Sequence, residues 1–260
     1  MATAKKLTTK AAALDMKAFA DALRARIESE VSGFSADPKA VAKRRKSATK
    51  DFGGFCETYF PHYIRSPHRS KLQAYLYDRL PKIADANESC SDAIAAPRGE
   101  AKSTIVTQLH TLWCIVTGRK KYPVVVMDSI DQAYPMLEAI KAELEFNPRL
   151  KTDFPEACGQ GRVWQAATIL TANGAKVQVA GSGKKLRGLR HGPYRPDLCV
   201  LDDIENDEQV QSPAQRDKLQ SWLNKTVMKL GGADAKFDVI YIGTILHHDS
   251  VLNRILGNKL

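Results

Sequence analysis

Four short apolar runs, each set between helical patterns, constrain this chain more than any other feature. They are Asp92–Ala96, Tyr122–Asp128 with Val124-Val125-Val126-Met127 at its centre, Leu198–Leu201 and Val239–Gly243. A strand wetted on one face alternates polar and apolar residues, whereas an unbroken apolar run, as in the last three, reads as a strand covered on both faces; Asp92–Ala96 reads only as a short strand. Helical periodicity fills the intervals: residues 69–80, closed by Pro81; 102–116; 132–146, with Pro135 in the first turn; 213–228; and a short helix after Asp249. Strands alternating with helices predict an α/β fold, a mostly parallel central sheet flanked by helices. Ala167–Thr171 and Lys176–Ala180 depart from the pattern. Joined through Asn173-Gly174, they predict a hairpin with a type I′ turn, because Asn-Gly tolerates the positive φ angles such a turn needs.

The first fifty residues read differently. Phe19, Leu23, Ile27 and Val31 recur every fourth residue and predict an amphipathic helix over 12–31. Asp37-Pro38 caps and opens a second helix that carries Lys43-Arg44-Arg45-Lys46. Gly53-Gly54 is expected to break the chain, separating a small, basic helical region, 1–50, from a main domain, 51–260. Residues 1–50 hold twelve Lys and Arg against five Asp and Glu, most of the net charge of +10. A cationic arm suits a polyanionic partner, and equally a solvated helical face. The five cysteines are scattered and form no CxxC pair, which argues for a reducing compartment with neither disulfides nor zinc. No apolar run reaches the ~18 residues of a membrane span, and the basic N-terminus lacks the apolar core of a secretory signal.

Two strand ends carry the chemistry. After the first strand comes Ala96-Pro97-Arg98-Gly99-Glu100-Ala101-Lys102-Ser103-Thr104, leading into a helix. This is the layout of a phosphate-binding loop, in which free N–H groups at a helix start face an anion. Ala96 and Ala101 stand where the usual pattern has glycines, so the strict motif fails. Lys102 is placed to reach the β- and γ-phosphates of a nucleotide, Ser103 to ligate Mg2+, and Arg98 to add a cation. The second strand end is Leu198-Cys199-Val200-Leu201-Asp202-Asp203. Four apolar residues deliver two carboxylates to the C-terminal edge of the sheet, where α/β ligands bind. Asp202 suits the Mg2+ shell. Asp203 or Glu205, two residues on, suits the base that orients the attacking water. Thr244, after Ile242-Gly243, would sit beside a γ-phosphate. His247 and His248 are adjacent and point apart, which disfavours one common metal site.

In order along the chain, Pro97-Arg98-Gly99 with Ala101-Lys102-Ser103-Thr104, Trp164 before Ala167-Thr168-Ile169-Leu170, Asn173-Gly174, Leu186-Arg187-Gly188-Leu189-Arg190, Arg195-Pro196-Asp197, the acidic run from Asp202 to Glu208, and Gly243-Thr244 resemble phage terminase large subunits. The resemblance spans about residues 52–258. It implies a P-loop NTPase of the additional-strand (ASCE) type, with ATP and Mg2+ at residues 96–104, that drives double-stranded DNA into a procapsid. It implies as partners a portal protein and a terminase small subunit, a homo-oligomeric ring on the portal, and the host cell cytoplasm as the place of action. It also implies an adenine pocket around Tyr59, His68 and Gln73. The basic loop 181–192 is expected to be mobile, with Arg187 reaching a neighbour's site or the loop touching DNA. The C-terminal nuclease of such proteins is expected to be missing from this chain, so ATP hydrolysis without DNA cleavage is anticipated. A helicase-like DNA-dependent ATPase, a non-catalytic nucleic-acid-binding scaffold and a DNA-recognition module confined to the N-terminal helices remain as alternatives.

Overall fold

The computed structural model describes residues 2–233 and 235–257, with side chains from Asp15 onward. The chain opens with helix α1 (Ala2–Glu30); its Ile27 and the following Val31 bury against Ala142, while Phe19 at the other end of the expected stripe stays exposed. Helix α2 (Pro38–Lys50) starts where Asp37 accepts the N–H of Ala40 at 2.9 Å. Asp51 then ends α2 and begins helix α3 (Phe52–Tyr59): its own N–H bonds Ser47 O, and its carboxylate accepts Gly54 N–H, each at 2.9 Å. Gly53-Gly54 therefore lies inside a helix and does not break the chain. A Cβ on Gly53 would stand 2.8 Å from the Tyr77 ring, so the glycine lets α3 approach its neighbour. Gly53→Ala is expected to cost about 1–3 kcal/mol by overpacking, read as a lower urea midpoint with an unchanged slope.

No linker separates the basic region from the rest. Arg44 makes a two-pronged ion pair with buried Asp153 at 2.7 and 2.6 Å, and Tyr59 donates to the same carboxylate at 2.7 Å. Arg45 pairs with Glu156, and Trp113 donates to Ala48 O at 2.8 Å. Part of the positive charge in the first fifty residues thus serves internal pairing.

Helix α4 (Lys71–Asp85) begins with a reciprocal cap between Ser70 and Gln73. It runs through Pro81, which was expected to end it. One lost N–H bond is outweighed because Leu80, Ile83 and Ala84 continue the buried face. Strand β1 (Ser91–Ala95) leads through the 96–102 loop into a π-helix, Ser103–Leu109, and then helix α5 (His110–Val116). A single α-helix was expected there; the wider winding inserts about one residue per turn. Strand β2 (Pro123–Met127) precedes helix α6 (Ile130–Phe146), capped by Ser129, so Pro135 falls in its second turn. Helix α7 (Pro148–Asp153) is capped by Asn147. Strands β3 (Gln160–Trp164), β4 (Thr168–Thr171) and β5 (Lys176–Gly181) follow, then β6 (Leu198–Asp202), helix α8 (Pro213–Lys225), β7 (Asp238–Gly243) and helix α9 (Val251–Gly257).

The sheet order is β1-β7-β6-β2-β5-β4-β3, with β1, β7, β6, β2 and β5 parallel and β4 and β3 antiparallel at one edge. Strands stand at all four expected places: β2, β6 and β7 are buried, β1 at the sheet edge buries only Ile94, and β7 lies between β1 and β6. One apolar layer packs α3 to α6 on one face of the sheet; the other packs α8 and α9 on the opposite face. The hairpin β4–β5 forms, but its turn is not type I′. Gly174 alone has positive φ (+82°), its N–H bonding Thr171 O at 3.0 Å, while Thr171 N–H bonds Ala175 O at 2.8 Å. Asn173 keeps an ordinary φ and instead donates its amide to Ile115 O.

Candidate functional site

The parallel strands bring three segments together at their C-terminal edge: the 96–102 loop after β1, Asp202-Asp203 ending β6, and Thr244 after β7. Ala96 N–H bonds Gly243 O at 2.9 Å, and the Thr244 hydroxyl donates to Ala96 O at 3.2 Å. Asp203 N–H bonds Ile242 O at 3.0 Å, and Asp203 Oδ1 accepts Thr244 N–H at 2.9 Å. β7 therefore ties the loop to the acidic strand end.

Within the loop, Pro97 to Ala101 are exposed, whereas Ala96 and Lys102 are buried. Gly99 has φ +89° and Ala101 φ +55°. Ala101 thus adopts the left-handed backbone that a glycine takes freely, at a cost of roughly 1–2 kcal/mol for an L side chain. Asp203, φ +44°, is strained in the same way. Such outliers persist where the surroundings hold them, and they cluster at functional sites.

Lys102 Nζ lies 2.7 Å from Asp203 Oδ2, with the lysine side chain 8% exposed and the aspartate 40%. Asp202 is fully buried; its Oδ1 accepts the Ser103 hydroxyl at 2.9 Å and its Oδ2 the Thr107 hydroxyl at 2.7 Å. Burial pushes the Asp202 carboxyl above its ordinary range, while the two hydroxyls pull it back. Residues four apart lie on one helix face, so Ser103 and Thr107 meet the same carboxylate. Thr107 was not singled out from the sequence; its spacing from Ser103 on one helix face was the available signal.

Other candidates fall elsewhere. Glu205 is buried, and its carboxylate accepts Tyr241 O–H at 2.8 Å and the N–H groups of Val251 and Leu252 at 2.8 and 3.0 Å. It caps α9, so of the two acids weighed as base, Asp203 is the one whose contacts lie with the loop. Glu205→Ala should strand two helix N–H groups and a buried phenol, costing about 2–4 kcal/mol, measurable as a lower denaturation midpoint. Arg98 is exposed, 3.3 Å from Asp207. Arg187 donates to Lys225 O at 3.1 Å, Trp222 donates to Lys184 O at 2.8 Å, and Leu186 is buried. The basic loop is thereby anchored on α8, contrary to the expected mobility.

The adenine candidates do not converge. Tyr59 is fully buried on Asp153, Gln73 completes the cap of α4, and His68 is exposed with its N–H on Ser66 Oγ. His247 and His248 do not point apart: their ring centroids lie 4.1 Å from each other, and His247 accepts Asp249 N–H on Nδ1; among the described residues no group of three or more His, Cys, Asp and Glu has metal-holding geometry. No described helix is long and apolar enough to cross a membrane.

Asn206 donates to both carboxylate oxygens of Asp128, just beyond β2, at 3.1 Å, a contact the sequence did not suggest. Compared with protein-family models and with curated proteins, the chain matches neither.

Proposed function

We propose that this chain is an ATP-hydrolysing motor domain of the additional-strand P-loop type, resembling that of phage terminase large subunits and acting on double-stranded viral DNA at a procapsid portal. The observation that carries the reading is the pair of contacts joining loop to strand end, Ser103 to Asp202 and Lys102 to Asp203. A surface lysine at an ordinary helix start has no reason to be buried against an acidic strand end. The placement of β7 between β1 and β6 supports the additional-strand assignment, with Thr244 between the two.

The donor set fits Mg2+ and a triphosphate. Ser103 and Asp202 offer a hydroxyl and a carboxylate already in contact, the oxygen chemistry Mg2+ prefers. The metal, when bound, neutralises charge on the phosphate oxygens. Lys102 exchanges the Asp203 carboxylate for phosphate oxygens. Asp203, released from the ammonium and still held by Thr244 N–H, accepts a proton from the attacking water. Thr107 keeps Asp202 oriented while Ser103 turns its oxygen to the metal. Arg98, and Arg187 from a neighbouring subunit, are the candidate cations for charge that Lys102 leaves uncompensated. A ring on the portal, with the terminase small subunit presenting DNA in the host cell cytoplasm, completes the reading.

Phosphate release from Mg2+·ATP is the test. Turnover stimulated by procapsid and portal is expected. Turnover stimulated by DNA alone and indifferent to portal would favour a helicase-like ATPase. Absent turnover with intact DNA binding would leave a scaffold.

A further inference from the structure

A second concave surface lies at the opposite edge of the same sheet. Lys121 precedes β2, Asp197 precedes β6 and Lys236 precedes β7, so the strand starts, not their ends, form its floor. A strand of five residues separates the two edges by about 16 Å. The cleft encloses about 540 Å³, and six of its lining residues are Lys or Arg.

Three of these cations have internal partners. Lys120 Nζ lies 2.6 Å from Asp238, Lys236 Nζ 3.2 Å from the same carboxylate, and Arg119 2.7 Å from Asp85. Lys121, Arg190 and Arg195 enter no ion pair among the described residues. The carboxylate of Asp197 is engaged by the N–H groups of Lys121 and Tyr122 at 2.5 and 2.9 Å.

The wall is preformed. His191 and Tyr194 exchange backbone hydrogen bonds of 2.8 and 3.0 Å across Gly192-Pro193, with Gly192 at φ +55°. His191 Nε2 reaches Gly174 O at 2.9 Å, and Lys176 donates to Arg190 O at 3.3 Å. This fixed turn presents Tyr194, 49% exposed, in the cleft that Arg190 and Arg195 also line.

We propose that this cleft binds single-stranded nucleic acid, the three cations holding its phosphates and Tyr194 stacking on an unpaired base. Charge alone would suit any polyanion. An acidic peptide uses the cations and leaves the tyrosine idle, whereas an unpaired strand uses both. A duplex keeps its bases paired and stacked away from the ring, whereas an unpaired base is free to stack on it. Because the turn is already in place, little ordering opposes binding. The proposal goes beyond the motor reading and does not depend on it.

Fluorescence anisotropy with a labelled oligothymidylate of about 15 nucleotides, without ATP, tests it. Reversing Lys121, Arg190 and Arg195 together to Glu should weaken binding at least about tenfold and flatten the salt dependence by about two, roughly 0.7 per phosphate lost. Tyr194→Leu should weaken binding about tenfold with an unchanged slope, since stacking is uncharged. The Arg190→Lys/Arg195→Lys variant should keep the slope, separating charge from misfolding. A wild-type slope in the triple variant, wild-type affinity in Tyr194→Leu, or equally tight binding of a blunt duplex or polyglutamate would each overturn the proposal. No ATP enters the measurement, so failure to hydrolyse ATP leaves it standing, and loss of this binding leaves the ATP site standing.

Discussion

Lys102→Ala should lose Mg2+-dependent ATP hydrolysis by about 10²–10³-fold, the scale of removing one preorganised donor from a charge-developing site. Lys102 is buried, and its ammonium meets Asp203 at the strand end. Removing it takes away the cation that would meet the transferring phosphate. The fold should tolerate the change, because the partner left behind is 40% exposed and can be hydrated. A far-ultraviolet spectrum and melting temperature close to wild type, with turnover lost, is the expected pair of results. Wild-type turnover would remove the loop from the account.

Asp202→Asn should reduce Mg2+ affinity by about 10–100-fold, the usual effect of disturbing a group that holds a metal's surroundings. Its stability should behave differently from its activity. The Asp202 carboxylate is fully buried and held above its ordinary range by that burial, so its charge is costly there. A neutral amide removes the cost and weakens the hydrogen bonds from Ser103 and Thr107. The two effects oppose, and the change in unfolding free energy should stay within about 1 kcal/mol. Titration with Mn2+ followed by spin resonance, alongside urea unfolding, separates the two. Unchanged metal affinity would place the metal elsewhere.

How much of this could be read from residues alone depended on where the signal was local. The three buried strands β2, β6 and β7 were legible because both faces are covered, which leaves an unbroken apolar run. Strand β3 was not, because Gln160-Gly161-Arg162 lies half-wetted at the sheet edge and carries no such run. Gly53-Gly54 read as a break because glycine usually disfavours helices; its reason here is the Tyr77 ring, a contact from another helix. Pro81 misled in the same way, its local penalty being overridden by packing on both sides of it. That Asp202 and Lys102 stand together at the same sheet edge followed from motif spacing. The choice between Asp203 and Glu205 did not, because it turns on α9, some fifty residues later, whose N–H groups occupy Glu205. The π-winding of Ser103–Leu109 left no trace in the apolar pattern, since Ile105, Val106 and Leu109 are buried in either winding.

The central claim is that the loop at 96–104 takes a triphosphate with Mg2+, and calorimetric titration with a non-hydrolysable ATP analogue tests it most directly. The account predicts saturable, Mg2+-dependent binding with one site per chain, abolished by chelator and weakened in Lys102→Ala. At a hundredfold excess over the dissociation constant, the same ligand should stabilise the fold by about 2.7 kcal/mol. No heat of binding and no shift in melting temperature at millimolar nucleotide, in protein shown to be folded, would contradict it.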